Sequence, residues 1–423
     1  MASKKSSNLK PSKSRPVATS AISQPALLET LPILSSFSTD GNLFALVTLA
    51  VDKHRLRIYN SVSGRAIAEH TVQEGRVSSL VWATAALSSG PSAETNSPTK
   101  RRKKRRAEND TEKEERKTEA EVVLLGISDG TILLYSPEQS KIVRTLSHAS
   151  STSPILALAP GVSNKSNLWT SSADSSTHLW DVQKNTIIKS WKNEDRIPFT
   201  SLAVQQPTNP DNPTHLLAAH HHIRLLTDVS SPQDPSLTKP TQVATFAGHA
   251  SSINILRWAK ATATSHRFFS AAEGDRFVYL WESEGASINE KPVASIPLDS
   301  DVRSVSLNSS DPSRQVLMAL STSGKLSFIP IPSEFPSSSN SGDEIHKIHT
   351  LLPRSTLTSV SKTNSDPPII NVVTISAVSG SIRVARLVQG IKPVFDLVVS
   401  YLVFFFVQGL IFDEISALHR RRW

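Results

Sequence analysis

Short apolar runs and small-residue turns alternate along most of this sequence. Seven segments share one layout: a strand-like run, a turn rich in Ser, Asp or Gly, and a β-branched or aromatic run that ends in a bulky residue. The clearest examples are "SDGTILLYSPEQSK", "ADSSTHLWDVQKNT" and "EGDRFVYLWESEG". This pattern predicts an all-β protein built from repeats. The bulky positions recur about every 45 to 56 residues after a longer first interval, and they are Tyr59, Tyr135, Trp180, Leu226, Trp281, Ile329 and, more weakly, Ala385.

A period near 45 residues with a Trp-Asp pair, here Trp180 and Asp181, resembles the WD40 repeat. Each WD40 repeat forms one four-stranded blade of a β-propeller. A further strand stands before each hairpin, in "GRVSSLVWA", "SPILALAP", "FTSLAV", "SSINILRWA" and "DVRSVSLN", where the innermost strand of a blade is expected. We therefore predict a WD40-type β-propeller with seven blades, and six or eight blades are the alternatives.

The third repeat carries the residues of the hydrogen-bonded tetrad of the WD40 family: His148, Thr170, Asp174 and Trp180. In that tetrad an Asp in the tight turn orients the His, the His reaches the hydroxyl, and the Trp N–H completes the network. Buried polar groups then satisfy one another. We expect these four side chains to form such a structural network in blade three.

The fifth repeat keeps three of the four tetrad residues, namely His249, Asp275 and Trp281. Ala271 stands at the position where counting along the repeat places the hydroxyl. The network of blade five is therefore expected to be incomplete or bridged by water.

A run of seven consecutive cations interrupts the second repeat, within "SPTKRRKKRRAENDTEKEERK". It lies between the first and second strands of that blade, so residues 90–120 are predicted to form a charged, disordered surface loop. Basic clusters of this kind act as nuclear or nucleolar localisation signals or contact RNA phosphates. A solvated loop whose basic and acidic halves pair weakly is the alternative. The cluster consists of Lys100, Arg101, Arg102, Lys103, Lys104, Arg105 and Arg106.

The formal net charge of +9 comes mostly from segments outside the repeats. A predicted disordered arm, residues 1–26, holds five cations, residues 100–121 add a net charge of about +3, and three arginines lie at 420–422. The propeller, predicted over residues 27–393, is thus close to neutral, which argues against an RNA-binding face spread across it. The absence of Cys excludes disulfides and thiolate chemistry, and the first residues lack the apolar run of a secretory signal.

The sequence contains no Gly-rich phosphate loop, no G-x-S-x-G elbow and no HExxH pair. The histidines at 220–222 occupy a turn of the fourth repeat without a carboxylate at ligand spacing, so surface histidines are favoured over a metal site. We therefore predict no enzyme activity, no catalytic or metal-binding residues, no cofactor and no small-molecule substrate. The expected role is that of a platform for proteins, peptides or nucleic acid.

The first repeat, "FSTDGNLFALVTLAVDKHRLRIYNSVSGRAIAEHTVQEGRVSSLVWA", resembles the opening blade of the fungal WD-repeat subunits of the small-subunit processome. This family is known in animals as WD-repeat protein forty-three. The charged insertion and the late segment "GSIRVARLVQGIKPVFDLV" fit the same family. The resemblance implies a nuclear, nucleolar scaffold of early pre-rRNA processing and 40S ribosome biogenesis, with support of rRNA transcription. The implied partners are other WD40 and helical subunits and the 5′ external transcribed spacer of pre-rRNA, bound directly or indirectly.

Two other classes of protein share these features: a nuclear WD40 adaptor in a chromatin or ubiquitin-ligase complex, and a membrane-tethered propeller. Processome relatives continue into a C-terminal helical domain, whereas residues 394–423 form only a short apolar tail here. The uncharged run at 397–412 is shorter than the roughly 20 residues of a transmembrane helix. A truncated or wrongly predicted gene product, a buried strand or helix, and a tail anchor are the three interpretations of this tail. A membrane is not among the partners that we expect.

Overall fold

The regular elements of the described residues are all β-strands. The structure is a computed structural model. It describes residues 34–50, 53–87, 118–148, 152–161, 165–205, 214–228, 240–259, 265–284, 287–288, 291–308, 315–322, 325–331, 346–347, 355–356, 371–378, 381–388 and 392–399.

The first four sheets are four-stranded antiparallel meanders, each formed by consecutive strands. Their strands are β1 (Leu34–Phe37), β2 (Leu43–Ala50), β3 (Lys53–Asn60) and β4 (Ala66–Thr71); β5 (Val77–Leu87), β6 (Thr118–Ile127), β7 (Ile132–Ser136) and β8 (Lys141–Leu146); β9 (Ile155–Pro160), β10 (Asn167–Ser172), β11 (Ser176–Asp181) and β12 (Thr186–Lys192); and β13 (Ser201–Val204), β14 (Thr214–Ala219), β15 (Ile223–Asp228) and β16 (Thr241–Phe246).

The last three sheets keep the same antiparallel order, but the fifth and sixth carry short additional strands and the seventh has three strands. They contain β17 (Ile253–Trp258), β18 (Ser265–Ala272), β19 (Phe277–Glu284), β20 (Ser287–Ile288) and β21 (Ala294–Pro297); β22 (Val302–Asn308), β23 (Gln315–Ser321) and β24 (Lys325–Ile331); and β27 (Asn371–Val378), β28 (Ser381–Val388) and β29 (Lys392–Val399). Two two-residue strands extend the fifth and sixth sheets: β25 (His346–Lys347) runs parallel to β21, and β26 (Ser355–Thr356) pairs antiparallel with β24.

The first strand of each sheet contacts the first strand of the next sheet, from β1 through β5, β9, β13, β17 and β22 to β27. Strand β27 also contacts β1, so these seven strands close into a ring. The described residues therefore form a seven-bladed β-propeller, and the strands predicted to be innermost are the ones that make the ring. The predicted WD40-type fold is confirmed.

The hydrophobic core lies between neighbouring blades rather than at one centre. Between blades three and four, for example, Trp169 and Leu179 pack with Phe199 and Leu216. A middle strand such as β10 is buried on both faces, whereas the outer strand β12 alternates exposed and partly buried residues. This difference explains why the middle strands read as continuous apolar or small-residue runs in the sequence.

Blades two and three approach so closely that one position between them must be glycine. A Cβ added to Gly126 on β6 would lie 2.8 Å from the Ile155 Cβ on β9. The hydroxyls of Ser78 and Ser79 on β5 both donate to the Ile155 carbonyl, at 2.7 and 3.0 Å. Packing and hydrogen bonds therefore act together at this inter-blade contact.

Two tryptophans on innermost strands form hydrogen bonds to the preceding blade. The Trp82 indole N–H donates to the Ser36 carbonyl at 2.9 Å, and the Trp258 indole N–H donates to the Ala203 carbonyl at 2.9 Å. Each hydrogen bond runs from a side chain on one innermost strand to a backbone carbonyl on the innermost strand of the adjacent blade. The two tryptophans thus fix the spacing of blades one and two and of blades four and five.

The insertion predicted over residues 90–120 ends earlier in the structure, because β6 already begins at Thr118, which lies opposite Leu87 on β5. The intervening residues 88–117, with the basic cluster at 100–106, lie outside the described residues, as do the predicted basic arm and residues 400–423. Strand β29 runs to Val399, past the boundary predicted at residue 393. The first residues of the predicted tail therefore belong to the seventh sheet.

We expect Trp258→Phe to lower the free energy of unfolding by about 1 to 3 kcal/mol, because the ring is kept while the Ala203 carbonyl loses its donor. The control is Trp191→Phe on β12, where the indole packs edge-on against Trp169 at 5.6 Å. Urea denaturation of both variants measures the difference. Equal losses in the two variants would show that the inter-blade hydrogen bond contributes nothing beyond packing.

Candidate functional site

Blade five contains a closed network of buried polar side chains. His249 Nδ1 lies 2.6 Å from Asp275 Oδ2, His249 Nε2 lies 2.7 Å from Ser270 Oγ, and the Trp281 indole N–H donates to Ser270 Oγ at 2.7 Å. A carboxylate only accepts, so Nδ1 carries the proton. Burial lowers the pKa of His249, although Asp275 opposes the shift, so Nε2 of a neutral ring accepts from the Ser270 hydroxyl.

The hydroxyl of this network comes from Ser270, so the expectation of an incomplete network in blade five is wrong. The Trp stands six positions after the Asp in both blades. The hydroxyl residue, however, is four positions before the Asp in blade three, at Thr170, and five positions before it in blade five, at Ser270. Counting back from the Asp of blade five therefore ends at Ala271. Ala271 instead packs fully buried in the apolar cluster between blades five and six.

Blade three arranges its predicted residues differently. The Trp180 indole N–H donates to Thr170 Oγ1 at 3.2 Å. Asp174 Oδ1 accepts from the Ser176 N–H at 3.1 Å and from the Ser176 hydroxyl, whose oxygen lies 3.1 Å from His178 Nε2. Ser176 thus connects the Asp to a histidine on β11 that the sequence analysis did not select.

His178 is almost completely buried and stacks on His148, with ring centroids 4.8 Å apart. The pKa of His178 falls to about 4, chiefly because the ring is buried and also because of the neighbouring His148, while Asp174 opposes the shift. The ring is therefore neutral at physiological pH. Both networks lie within the packed blades, where hydrogen bonds between partly and fully buried polar groups support the structure.

The three consecutive histidines form the tight connection between β14 and β15. His220 is partly buried and its ring lies edge-on to that of His221 at 4.2 Å, whereas His221 and His222 are exposed. Across the part of the chain that the structure describes, no three His, Asp or Glu side chains converge as a candidate metal site. The His220 carbonyl instead accepts from the Ile253 N–H at 2.6 Å and so joins blade four to blade five.

A groove of about 360 Å³ opens on the outer side of blades three and four. Its wall combines aromatic and charged groups: the Arg224 guanidinium carbon lies 5.8 Å from the centre of the Phe199 ring, and Arg224 forms an ion pair with Asp195. A groove of this size and composition accommodates one or two protruding side chains of a partner protein. It is lined by Trp191, Asn193, Glu194, Phe199, Arg224, Leu226, Pro240, Thr241 and Gln242.

The predicted localisation or RNA-contact cluster, Lys100 to Arg106 in the sequence, lies outside the described residues. Within the described ranges there is no helix with the length and apolar character needed to span a bilayer. Most of the apolar run at 397–412 is likewise outside them.

No protein-family model matches this sequence, and no curated protein matches it. A solved structure does match: one chain of a structure described as "Crystal Structure of Mitotic Checkpoint Complex" has a TM-score of 0.52 and 13% sequence identity. The match covers 86% of this chain and 86% of that chain. At this level of identity the similarity shows the fold alone, which is the all-strand propeller described above.

We expect Ser270→Ala to lower the free energy of unfolding by about 2 to 4 kcal/mol, because both His249 and Trp281 lose a buried partner. Ser190→Ala, on the exposed face of β12, is the matched control and should change stability by about 0.5 kcal/mol or less. A double-mutant cycle with Trp281→Phe tests the network itself. Additive losses in that cycle would contradict a shared hydrogen bond between Ser270 and Trp281.

Acid is expected to weaken the fold through His178. The folded pKa of about 4 lies below the reference value of 6.5, so the unfolded chain binds more protons between these values. The stabilising contribution is therefore complete above about pH 6.5 and is lost as the pH falls toward 4. His178→Phe should reduce the slope of unfolding free energy against pH by up to about 1.4 kcal/mol per pH unit in that window.

Urea titrations between pH 7.5 and 4.5 measure this slope for the wild type, for His178→Phe and for the control His222→Phe. The control replaces an exposed turn histidine and should keep the wild-type slope. An unchanged slope in His178→Phe would show that other groups govern the acid sensitivity.

Proposed function

We propose that this chain is a non-enzymatic scaffold subunit of the small-subunit processome that acts in early pre-rRNA processing in the nucleolus. Its fold supports the general role, since a propeller is a rigid platform for protein interactions. The resemblance of residues 37–83 to the opening blade of processome WD-repeat subunits supports the specific one. The observation that carries the proposal is the attachment of the basic cluster to blade two.

The insertion joins two adjacent, paired strands, β5 and β6, through Leu87 and Thr118. A long segment attached in this way leaves the blade intact and tethers seven cations to it. Cationic clusters bind RNA phosphates by releasing counterions, and they also act as nuclear addresses. The insertion therefore supplies electrostatic attraction or localisation, and the neutral propeller supplies the specific surfaces.

The groove between blades three and four is a candidate for one of those protein contacts. Its Trp191 and Phe199 provide rigid aromatic area, and Arg224 is held in place by Asp195. Aromatic and arginine side chains dominate the binding energy of many protein interfaces. In this proposal a sister subunit occupies the groove while the insertion reaches pre-rRNA or directs the protein to the nucleolus.

The test is affinity purification of the tagged full-length protein from nuclear extract at moderate salt, with proteins and RNA both identified. We expect processome subunits and pre-rRNA with the wild type. Replacing the seven cations at 100–106 with Gln should remove nucleolar localisation or sharply reduce the RNA recovered. Replacing the five cations of residues 1–26 with Gln, as a matched control, should have a smaller effect.

The alternatives give different results in the same experiment. Recovery of histones or cullin adaptors would favour the chromatin or ubiquitin-ligase adaptor, and flotation with membranes would favour a tethered propeller. RNA recovery that does not change with salt would place RNA contact in a partner protein rather than in the insertion. Recovery of the propeller alone, with no processome subunit, would overturn the proposal.

A further inference from the structure

The innermost strands, which surround the central channel of the propeller, carry almost no charge. Their sequences are LSSF, VSSLVWATAAL, ILALAP, SLAV, INILRW, VRSVSLN and NVVTISAV. No Asp or Glu occurs on any of these seven described strands, and their only charged residues are Arg257 on β17 and Arg303 on β22. Fixed charge on these seven described strands is therefore exclusively positive and is confined to blades five and six.

Arg257 occupies a register position that small or uncharged residues fill in the other blades. It stands directly before Trp258, and in blade two the residue before Trp82 is Val81. It pairs with Phe269, the residue before Ser270. In blade three the corresponding residue, Trp169 before Thr170, pairs with Ala159. The equivalent register positions of the neighbouring blades hold Ala203 on β13 and Ser306 on β22. Arg257 is therefore the long, charged exception at this position of the ring.

The Arg257 side chain is both solvent-exposed and enclosed by protein. The residue is exposed on β17, yet burial lowers the pKa of its guanidinium. Strand β17 belongs to the ring of innermost strands around the central channel, so an exposed side chain on it borders that channel, where water reaches it but protein surrounds it. In such a place the effective dielectric constant is below that of bulk water, so a charge attracts a counter-ion more strongly.

Arg257 has one hydrogen-bond partner among the described residues. Its Nη1 donates to the carbonyl of the adjacent Leu256 at 3.0 Å, and no other described group accepts from its remaining N–H donors. Among the residues that the structure describes, no carboxylate forms an ion pair with it, whereas Arg267 is paired with Glu282 at 2.6 Å. A cation that protein surrounds and that has no carboxylate partner attracts a compensating anion.

We propose that the central channel binds a compact phosphate-type oxyanion at Arg257. The planar guanidinium matches two oxygens of such a group, and its fixed charge favours an anion. Arg303, exposed at the start of β22, adds attraction of the same sign from the next blade. This site is independent of the scaffold role and of the basic insertion.

Calorimetric titration of the full-length protein with sodium pyrophosphate tests the site, with ionic strength held constant by sodium chloride. Arg257→Gln should weaken binding about tenfold or more, because charge-assisted hydrogen bonds are lost. Arg257→Lys should retain weaker binding, because the charge stays but the bidentate fork does not. Arg65→Gln, in an exposed turn of blade one, is the matched control and should bind like the wild type.

Parallel titrations with inorganic phosphate and with acetate identify the chemistry. Phosphate is expected to bind and acetate to bind at least about tenfold more weakly, since a monovalent carboxylate offers less charge. Thermal melts add a second readout: Arg257→Met should melt no lower than the wild type without phosphate and should gain no stability when pyrophosphate is added. Pyrophosphate binding by Arg257→Gln within twofold of the wild type, or no wild-type binding at millimolar pyrophosphate, would overturn the proposal.

Discussion

Each blade of this propeller packs both faces of its sheet against neighbouring blades, and the remaining features of the structure follow from that constraint. A sheet covered on two sides has no interior of its own, so the apolar clusters form between blades. Each blade therefore depends on the next, and the ring must close for the first blade to gain its second neighbour. Contact between β1 and β27 provides that closure. Hydrophobic burial supplies most of the driving force, but it is non-directional and does not set the spacing of the blades.

Directional bonds supply the spacing. Trp82 and Trp258 donate to carbonyls on the preceding blade, and Ser78 and Ser79 bond to Ile155 on the following one. Inside blade five, the Ser270 hydroxyl accepts from the Trp281 indole and donates to the His249 ring. These two bonds hold strand β18, strand β19 and the loop that carries His249 in fixed relative positions. Polar groups buried this deeply are stabilising only when all their partners are present. These hydrogen bonds make the propeller rigid, and a rigid scaffold suits surfaces that bind large partners.

The repeat pattern predicted the blade count and the innermost strands because the period-2 and continuous apolar runs respond directly to burial. Ser270 was missed because a turn one residue longer shifts the count, and no composition signal marks that extra residue. The acceptors of Trp82 and Trp258 lie 46 and 55 residues away on other blades, so no local pattern reveals them. No local pattern marks Arg257, because its isolation from carboxylates depends on the absence of Asp and Glu from the other six innermost strands. The groove at Phe199 and Arg224 likewise exists only when two blades meet.

The pairing of Leu87 with Thr118 has a consequence for how this protein can evolve. The ends of the insertion are held together by the sheet whatever lies between them, and the entropy cost of closing a loop grows only with the logarithm of its length. Doubling such a loop costs about 0.6 kcal/mol, less than many single substitutions in the core. Selection can therefore lengthen, shorten or recharge this segment at little cost to folding, so that cellular address and architecture change independently within one gene.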